Sequence, residues 1–467
     1  MFKSRQKLYL GQKQKRKRFS FFWMLVWFPL LLLMILGISE IGIRLFFSFA
    51  GKPERLTRKQ DNSPLSQAYQ LQFLSNNQPI QGLPQQGKLK LQRNPVLGYQ
   101  LVPNQQSQFW QINQQGWRER VSIPKTKPSN EVRVFILGGS AAFGYRSDSN
   151  QNTIAQKLEQ RLNQRVEKQQ NQPQQYQPEV LSFYKPDREK QLQKTPRLKE
   201  GNYQVINAAI PGYASGNQRA QLAMRILPYN PDLIIVMGGY KDLMLPSQES
   251  FADIPLVDTY LTNATKHFRD YLGKPLQNWT QKSDLLQMAT SYMTTPPVTT
   301  TQETLVLNPK PNQPLDAYLP QQLNELNKRI DRYRENHLQM VRLAAGAGVP
   351  LISVVQPEIT GRKLGRNLDQ LPPQEQKIIN ELGNNYVEQV QQAYTEKIGK
   401  ANRELEQLFP KNVKSVNLYN SYTDLSNPAF VDPIHLTSEA NTETAEQLYQ
   451  TIVKMPKMQM TPKQPGS

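Results

Sequence analysis

A serine that follows two glycines at the end of an apolar run is the first residue of this sequence that could do chemistry. Residues 132–137 read Val-Arg-Val-Phe-Ile-Leu, and Gly138, Gly139 and Ser140 follow. This pattern predicts a buried strand ending in a tight turn, where parallel sheets place their ligands. A serine hydroxyl there is a nucleophile only if a neighbouring base accepts its proton. The same turn is also typical of a phosphate-binding nest or a helix N-cap.

The candidate base for this serine is His435, one of only three histidines in the chain. Asp432 stands three residues before it, so both side chains can lie in one turn, which Pro433 stiffens. A carboxylate in that position fixes the tautomer of an imidazole and stabilises its charged form. An isolated Asp-x-x-His segment also occurs as an N-cap beside a surface histidine. The assignment of His435 as a base therefore depends on whether the fold brings this segment to the same edge of the sheet as Ser140.

The other two histidines favour no metal site. His267 lies in a polar segment, and His337 lies on a helix beside Arg334, Glu335 and Asn336, which suggests an exposed position. Neither histidine has a second histidine or a cysteine at i+3 or i+4. The glycines before Ser140 do not extend into a dinucleotide-binding or Walker A motif. We therefore expect neither a metal nor a nucleotide cofactor.

Strand and helix patterns alternate from residue 132 onwards, which predicts a parallel sheet covered on both sides. The fold class is α/β, a three-layer α/β/α sandwich with a five-stranded, flavodoxin-like sheet. Each candidate residue follows a strand: Ser140 the first, Gly212 the second, Lys241 the third, and His435 the fifth. The expected strands are 132–137, 203–209, 233–237, 349–355 and 413–418, and the expected helices are 152–168, 216–228, 318–346, 373–408 and 438–454.

The charge of the chain is concentrated near its N-terminus. The net charge is +20, and residues 1–60 contribute more than half of it, with 13 basic and 2 acidic residues. Those basic residues flank 19–38, an uncharged apolar run of the length that spans hydrocarbon. A basic DNA-binding tail would not border such a run, so no nucleic-acid partner is expected. The chain has no cysteine, which excludes disulfides and thiolate metal sites.

Residues 19–38 therefore predict one N-terminal transmembrane helix that anchors the chain in the lipid bilayer. Eight basic residues precede the run, so the positive-inside rule places the N-terminus in the cytoplasm and the rest of the chain outside the cytoplasmic membrane. A cleaved signal peptide is the competing interpretation, since residues 48–50 loosely fit a cleavage site. The length of the run and the charged residues Glu40 and Arg44 after it favour the anchor.

The predicted domain organisation has five parts. A basic cytoplasmic tail (1–18) precedes the anchor (19–38), and a juxtamembrane stalk with a small leading subdomain covers 39–130. The main domain covers 131–455 and carries two insertions, about 169–200 and 246–318, which are rich in Gln, Lys, Pro and Thr. Residues 456–467 are expected to form a flexible tail.

The order in which these strand-end motifs occur resembles that of the SGNH/GDSL hydrolase family over about residues 130–455. The resemblance makes Ser140 the nucleophile, His435 the base and Asp432 the carboxylate that orients the base. It makes the backbone of Ser140 and of Gly212 donors of the oxyanion hole. The segment Asn113–Arg118 is similar to a lead-in found in membrane-anchored members of the family. The family has asparagine as a third oxyanion donor, and here Lys241 stands at that position, in Gly239-Tyr240-Lys241-Asp242.

The resemblance implies a membrane-anchored extracytoplasmic serine esterase or acyltransferase that works through an acyl-enzyme. Its implied substrates are acyl esters. Anchored members of the family often act on O-acetylated envelope glycans, so the resemblance suggests such glycans as the substrate. Hydrolysis and acyl transfer require the same residues, so both remain open. The lysine at position 241 leaves a second hypothesis open, in which a catalytically degenerate module of this fold binds envelope polysaccharide or a protein partner.

Overall fold

A computed structural model describes Met34 and residues 63–80, 87–253 and 315–466 of the chain. All of these except Met34 lie in one compact unit. The expected anchor (19–38, apart from Met34), His267 and most of the insertion 246–318 lie outside the described residues. None of the helices that are described is long and apolar enough to cross a bilayer.

A small sheet, which the sequence patterns did not predict, precedes the main domain. Helix α1 (Pro64–Tyr69) leads into a four-stranded sheet in the order β2-β1-β3-β4, and a separate two-stranded hairpin follows. Alternate residues of its longer strands are buried, including Leu89 and Leu91. The strands are β1 (Leu71–Ser75), β2 (Gln78–Pro79), β3 (Leu89–Asn94), β4 (Gly98–Leu101), β5 (Gln105–Gln106) and β6 (Gln111–Ile112).

The main sheet has five parallel strands, as predicted. Its order is β11-β10-β9-β7-β8, which is the flavodoxin-like order for strands counted along the chain. The neighbouring strands β7 and β9 are the point where the direction of strand addition reverses, and this is where such sheets bind ligands. The strands are β7 (Glu131–Gly138), β8 (Asn202–Asn207), β9 (Leu233–Gly238), β10 (Leu351–Val355) and β11 (Val413–Asn417).

Successive residues of β7 belong to two different cores, because side chains alternate between the faces of a sheet. Val134 and Ile136 pack in the core that contains Leu158 and Leu448, whereas Phe135 packs in the core that contains Met340. Helices α3 and α11 thus cover one face, and α7 covers the other. The described helices after α1 are α2 (Ser140–Phe143), α3 (Ile154–Asn171), α4 (Lys185–Leu192), α5 (Ser215–Gln221), α6 (Tyr240–Met244), α7 (Leu323–Gly346), α8 (Pro373–Leu382), α9 (Asn384–Gln392), α10 (Gly399–Leu408) and α11 (Ser438–Ile452).

The end of the chain differs from the expected flexible tail. The side chains of Met455 and Met458 are buried in the main core. Backbone hydrogen bonds then join the segment to the insertion 169–200: Leu181 donates to Lys463 at 3.0 Å and Lys199 donates to Met458 at 2.9 Å. The polar composition of 456–467 suggests a flexible tail, but the buried side chains of Met455 and Met458 hold the segment against the main domain.

The lead-in segment Asn113–Arg118 forms a buried turn. The Oδ1 of Asn113 accepts the backbone N–H groups of Gln115 and Trp117, both at 3.0 Å. Gly116 has a φ of +75°, and a Cβ atom there would lie 2.8 Å from the carbonyl oxygen of Leu101. Only glycine fits this turn, because other residues strain at positive φ and a side chain has no space.

Arg118, at the end of that turn, joins the small subdomain to helix α2. Its Nη1 donates to the carbonyls of Phe143 (3.0 Å) and Gly144 (2.7 Å), which are the C-terminal carbonyls of α2. Its Nη2 donates to the hydroxyl of Tyr69 at 2.8 Å, and its Nε donates to Asn150 at 3.0 Å. The residue is 2% exposed, so these acceptors replace water around a buried cation.

Replacing Arg118 by Met is expected to lower the free energy of unfolding by about 3 kcal/mol, because it leaves several buried acceptors unsatisfied. Arg118→Lys should recover less than half of the loss, since an ammonium cannot reproduce the planar fork. Urea unfolding of both variants measures this. The exposed neighbour Arg120 provides the control, because Arg120→Met should change the free energy of unfolding by less than about 1 kcal/mol. An equal effect at both positions would contradict the role of Arg118.

Candidate active site

Ser140 begins helix α2 directly after strand β7. Gly139 is the N-cap, and the serine is 5% exposed. The backbone N–H groups of a first helical turn have no acceptor within the helix, so that of Ser140 is available to a ligand. A Cβ atom at Gly138 would lie 2.5 Å from the Cβ of Ala142 and 2.9 Å from the carbonyl oxygen of Met237. The glycine therefore allows the short helix to pack against the end of the sheet.

The loop after β8 lies beside this turn. Ile210 donates its N–H to the carbonyl of Gly138 at 3.0 Å, and a Cβ atom at Gly139 would lie 3.3 Å from the carbonyl oxygen of Tyr213. Gly212, between them, has a φ of +83°, and within the described part of the chain its N–H donates no hydrogen bond. This amide and that of Ser140 are thus two backbone donors from adjacent loops.

Asn207 has a structural role beside the same turn. Its Nδ2 donates to the carbonyl of Phe143 at 3.2 Å, and its backbone N–H donates to the buried carboxyl of Glu119 at 2.8 Å. Asn207 and Arg118 therefore both contact the C-terminal carbonyls of α2. They hold the short helix from the end opposite to Ser140.

Lys241 lies in helix α6, after strand β9. Burial lowers the pKa of its ammonium to about 8, although the charge of Asp242 acts in the opposite direction. The carboxylate of Asp242 accepts the N–H of Ser215 at 3.1 Å and the Oγ–H of the same serine at 2.5 Å. Asp242 therefore ties α6 to α5.

Asp432 and His435 form the hydrogen-bonded pair that a general base requires. The Oδ2 of Asp432 lies 2.6 Å from the Nδ1 of His435. Its Oδ1 accepts the N–H groups of Ile434 at 3.1 Å and of His435 at 2.9 Å. A carboxylate can only accept, so Nδ1 carries the proton and Nε2 is left as the acceptor. That Nε2 is buried and has no hydrogen-bond partner among the described residues.

The pKa of Asp432 is lowered from its usual value. Burial acts to raise it, but the charge of His435, the hydrogen bond from that ring and the charge of Arg146 together outweigh burial. The carboxylate consequently stays ionised although it is only 4% exposed. An ionised partner is what stabilises an imidazolium.

The segment after Ser140 contacts the histidine through Tyr145. The N–H of Tyr145 donates to the carbonyl of Ser140 at 3.0 Å. The ring of Tyr145 stacks on that of His435, with centroids 4.7 Å apart and planes at 28°. The loops after β7 and β11 therefore meet where these two rings stack.

The expectation for His337 was wrong, because the residue is 1% exposed. It lies on the buried face of α7, its Nδ1 is 2.9 Å from the Oγ of Ser353, and burial lowers its pKa to about 3. The charged residues beside it in sequence point away on the helix, and their polarity was misleading. Within the described ranges no group of side chains could hold a metal ion.

A buried carboxyl group behind the histidine loop was missed. Glu358 is fully buried, and its Oε2 accepts the N–H of Thr360 at 2.7 Å while its Oε1 accepts the hydroxyl of Tyr386 at 3.2 Å. Burial raises its pKa to about 7. The next residue, Ile359, donates its N–H to the carbonyl of Pro433 at 2.8 Å. A single glutamate after a proline gives no sequence signal for this place.

The chain matches no family model and no curated protein. Among solved structures it is similar to a lipase/acylhydrolase from Enterococcus faecalis, at 14% identity over 71% of this chain and 99% of that one, with a TM-score of 0.31. A catalytic mutant of an acetylxylan esterase from Geobacillus stearothermophilus matches at 12% identity over 70% and 96%, with a TM-score of 0.32. Likeness at these scores carries no argument, so the function has to be argued from the residues and distances above.

Glu358→Gln is expected to flatten the dependence of stability on pH between about 4.5 and 7. The raised pKa of Glu358 means that the folded state binds a proton more tightly than the unfolded state. That contribution is present below the unfolded pKa and is lost as pH rises towards 7. Glutamine is uncharged throughout, so its variant should lose no stability from this group over the range. Melting temperatures at closely spaced pH values measure the difference.

Glu325 provides the control with the opposite sign. Burial acts to raise its pKa, but hydrogen bonds from Ser247 and Arg329 lower it to about 2. Its contribution is present above the unfolded pKa and is lost as pH falls towards 2. Glu325→Gln should therefore alter the pH profile below about pH 4.5 and leave the range from 4.5 to 7 unchanged. A Glu358→Gln profile parallel to that of the unmodified protein would show that Glu358 is not protonated in this range.

Proposed function

We propose that this chain is a serine esterase or acyltransferase of the SGNH/GDSL type, with Ser140 as nucleophile. The observation that carries the proposal is the buried pair of Asp432 and His435, with Nδ1 hydrogen-bonded at 2.6 Å and Nε2 unpartnered among the described residues. The contacts of Tyr145 join this pair to the turn of Ser140. His337 also has an unpartnered Nε2, but its Nδ1 faces the hydroxyl of Ser353, so the carboxylate on Nδ1 is what distinguishes His435.

In the proposed reaction, the Oγ of Ser140 attacks the carbonyl carbon of an acyl ester and its proton passes to the Nε2 of His435. The tetrahedral intermediate collapses to an acyl-enzyme, and the alcohol leaves with the proton from His435. A water molecule or an acceptor hydroxyl then gives its proton to His435 and attacks the acyl carbon; the new intermediate collapses, and the Oγ of Ser140 leaves with the proton returned from His435. Asp432 stays ionised throughout and stabilises the imidazolium.

The oxyanion hole in this proposal is built from backbone amides of two loops. The N–H groups of Ser140 and Gly212 lie on adjacent turns at the edge of the sheet, and both are available as donors. Preorganised donors of this kind each contribute about 10²–10³ in rate. Lys241 is the third donor in the proposal, in the position where the family has asparagine. Its pKa of about 8 keeps a large fraction of its ammonium charged at neutral pH.

The proposal extends to location and substrate. Residues 19–38 anchor the chain in the cytoplasmic membrane with the N-terminus inside, and the catalytic domain acts outside the cytoplasm on O-acetylated envelope glycans. The apolar run, the eight basic residues before it and the resemblance to anchored family members support this.

Ser140→Ala is expected to lower kcat on p-nitrophenyl acetate by at least about 10³-fold, because the attacking oxygen is removed while binding is retained. A fluorophosphonate probe should label the full chain once, at Ser140, as measured by intact mass and peptide mapping. Ser147→Ala is the matched control, since Ser147 is a buried serine in the same segment and should leave both activity and labelling unchanged.

Two results would overturn the serine mechanism. One is turnover by the Ser140→Ala variant at the rate of the unmodified protein. The other is absence of probe labelling in a folded, unmodified chain. The second result would favour the alternative of a degenerate module that binds envelope polysaccharide, for which the lysine at position 241 is the supporting observation.

A further inference from the structure

The segment that carries Ser140 turns back on itself within seven residues. Helix α2 ends at Gly144, which has a φ of +78°, and Arg146 has a φ of +65°. An arginine in the left-handed region costs free energy that the surrounding contacts must offset. The two left-handed residues reverse the chain, so that the side chains of Tyr145 and Arg146 meet the loop of Asp432 and His435.

Tyr145 covers one face of the imidazole. Its ring is stacked on that of His435 at 4.7 Å, and its hydroxyl donates to the carbonyl of Tyr69 at 2.5 Å. Its backbone N–H donates to Ser140, so the ring is fixed from both ends. The residue is 5% exposed. A ring held in this way limits rotation of the imidazole.

Arg146 contacts the carboxylate oxygen that His435 uses. Its Nη1 lies 3.9 Å from the Oδ2 of Asp432, which also accepts the Nδ1–H of His435. The other oxygen, Oδ1, is held by two backbone amides. Besides Arg146 and His435, the buried hydroxyl of Tyr240 on α6 senses the charge of Asp432. Of these groups, Arg146 is the one that comes from the segment of the nucleophile.

We propose that Tyr145 and Arg146 are positioning residues that align the Asp432–His435 pair with Ser140. They can do so because Ser140, Tyr145 and Arg146 lie on one short segment of the chain. Tyr145 sets the orientation of the ring, and Arg146 sets the place and the charge of the carboxylate behind it. The inference rests on the proposed serine mechanism. It adds that the alignment of nucleophile and base is built into residues 140–146, instead of depending on the separate loops alone.

The test for Arg146 is a pH profile of kcat/KM on p-nitrophenyl acetate with the full chain. Arg146→Gln removes a cation 3.9 Å from the Asp432–His435 pair and so makes protonation of the pair easier; the acid limb should move to higher pH and kcat should fall about 10- to 100-fold, with KM changed less than about twofold. Arg146→Lys should restore the limb. The control is Arg161→Gln, which removes the remote ion pair of Arg161 with Glu446 (2.7 Å) and should leave the profile unchanged.

The test for Tyr145 compares Tyr145→Leu with Tyr145→Phe. Leucine removes the stacked ring and should slow fluorophosphonate labelling of Ser140 about 10-fold or more, while phenylalanine keeps the ring and should stay within about threefold of the unmodified rate. Final labelling should reach one probe per chain in both variants. Melting temperatures of all variants separate misalignment from unfolding.

The outcomes distinguish this inference from the proposed function. If the unmodified chain is not labelled at all, the serine mechanism itself fails. If labelling of the unmodified chain is normal, but Arg146→Gln keeps the original acid limb or Tyr145→Leu keeps the original labelling rate, the mechanism stands and the positioning role is wrong. Losses that Arg146→Lys and Tyr145→Phe do not rescue would also overturn it.

Discussion

The hydrogen bonds of the buried Arg118 guanidinium are the interactions on which the candidate site depends most. Helix α2 has only four residues, too few to be stable by its own hydrogen bonds. Its last carbonyls are bound by Arg118 and by Asn207, one from the turn before the main sheet and one from the end of β8. The placement of the helix that begins at Ser140 therefore depends on hydrogen bonds made at its opposite end.

Carboxyl groups near the site show how the local environment gives chemically similar side chains different pKa values. The charges of a histidine and an arginine outweigh burial at Asp432 and lower its pKa, whereas burial raises the pKa of Asp242 although Arg332 and the hydrogen bonds from Ser215 act to lower it. Glu358 lacks a facing cation, and burial raises its pKa to about 7. The pKa values of these carboxyl groups thus shift in opposite directions, and only Asp432, whose pKa is lowered, contacts the imidazole.

Much of the main domain was predictable because its signals are local. A strand buried on both faces must be apolar along its length, and the glycines after β7 and β9 mark where it stops. The five strands and their order followed from this. The places of Ser140, Gly212 and His435 followed from where the strands end. The pairing of Tyr145 with His435 did not, since a tyrosine in a turn has no periodic signal and its partner comes from the far end of the domain. The prediction that His337 is exposed was wrong for a different reason. Its charged neighbours in sequence occupy the outer side of a helix whose inner face, with His337, is buried.

The wide separation of Ser140 and His435 in sequence has a consequence for how the protein is made. All five strands of the sheet and the serine turn are synthesised before the loop of Asp432 exists, and parallel pairing of distant strands is slow to form. A nascent chain therefore exposes the proposed nucleophile before its proposed base, and a serine without a base is chemically inert. Any reactivity of the site arises only when the last strand and the last helix have joined the sheet, so completion of folding itself acts as the step that turns the chemistry on.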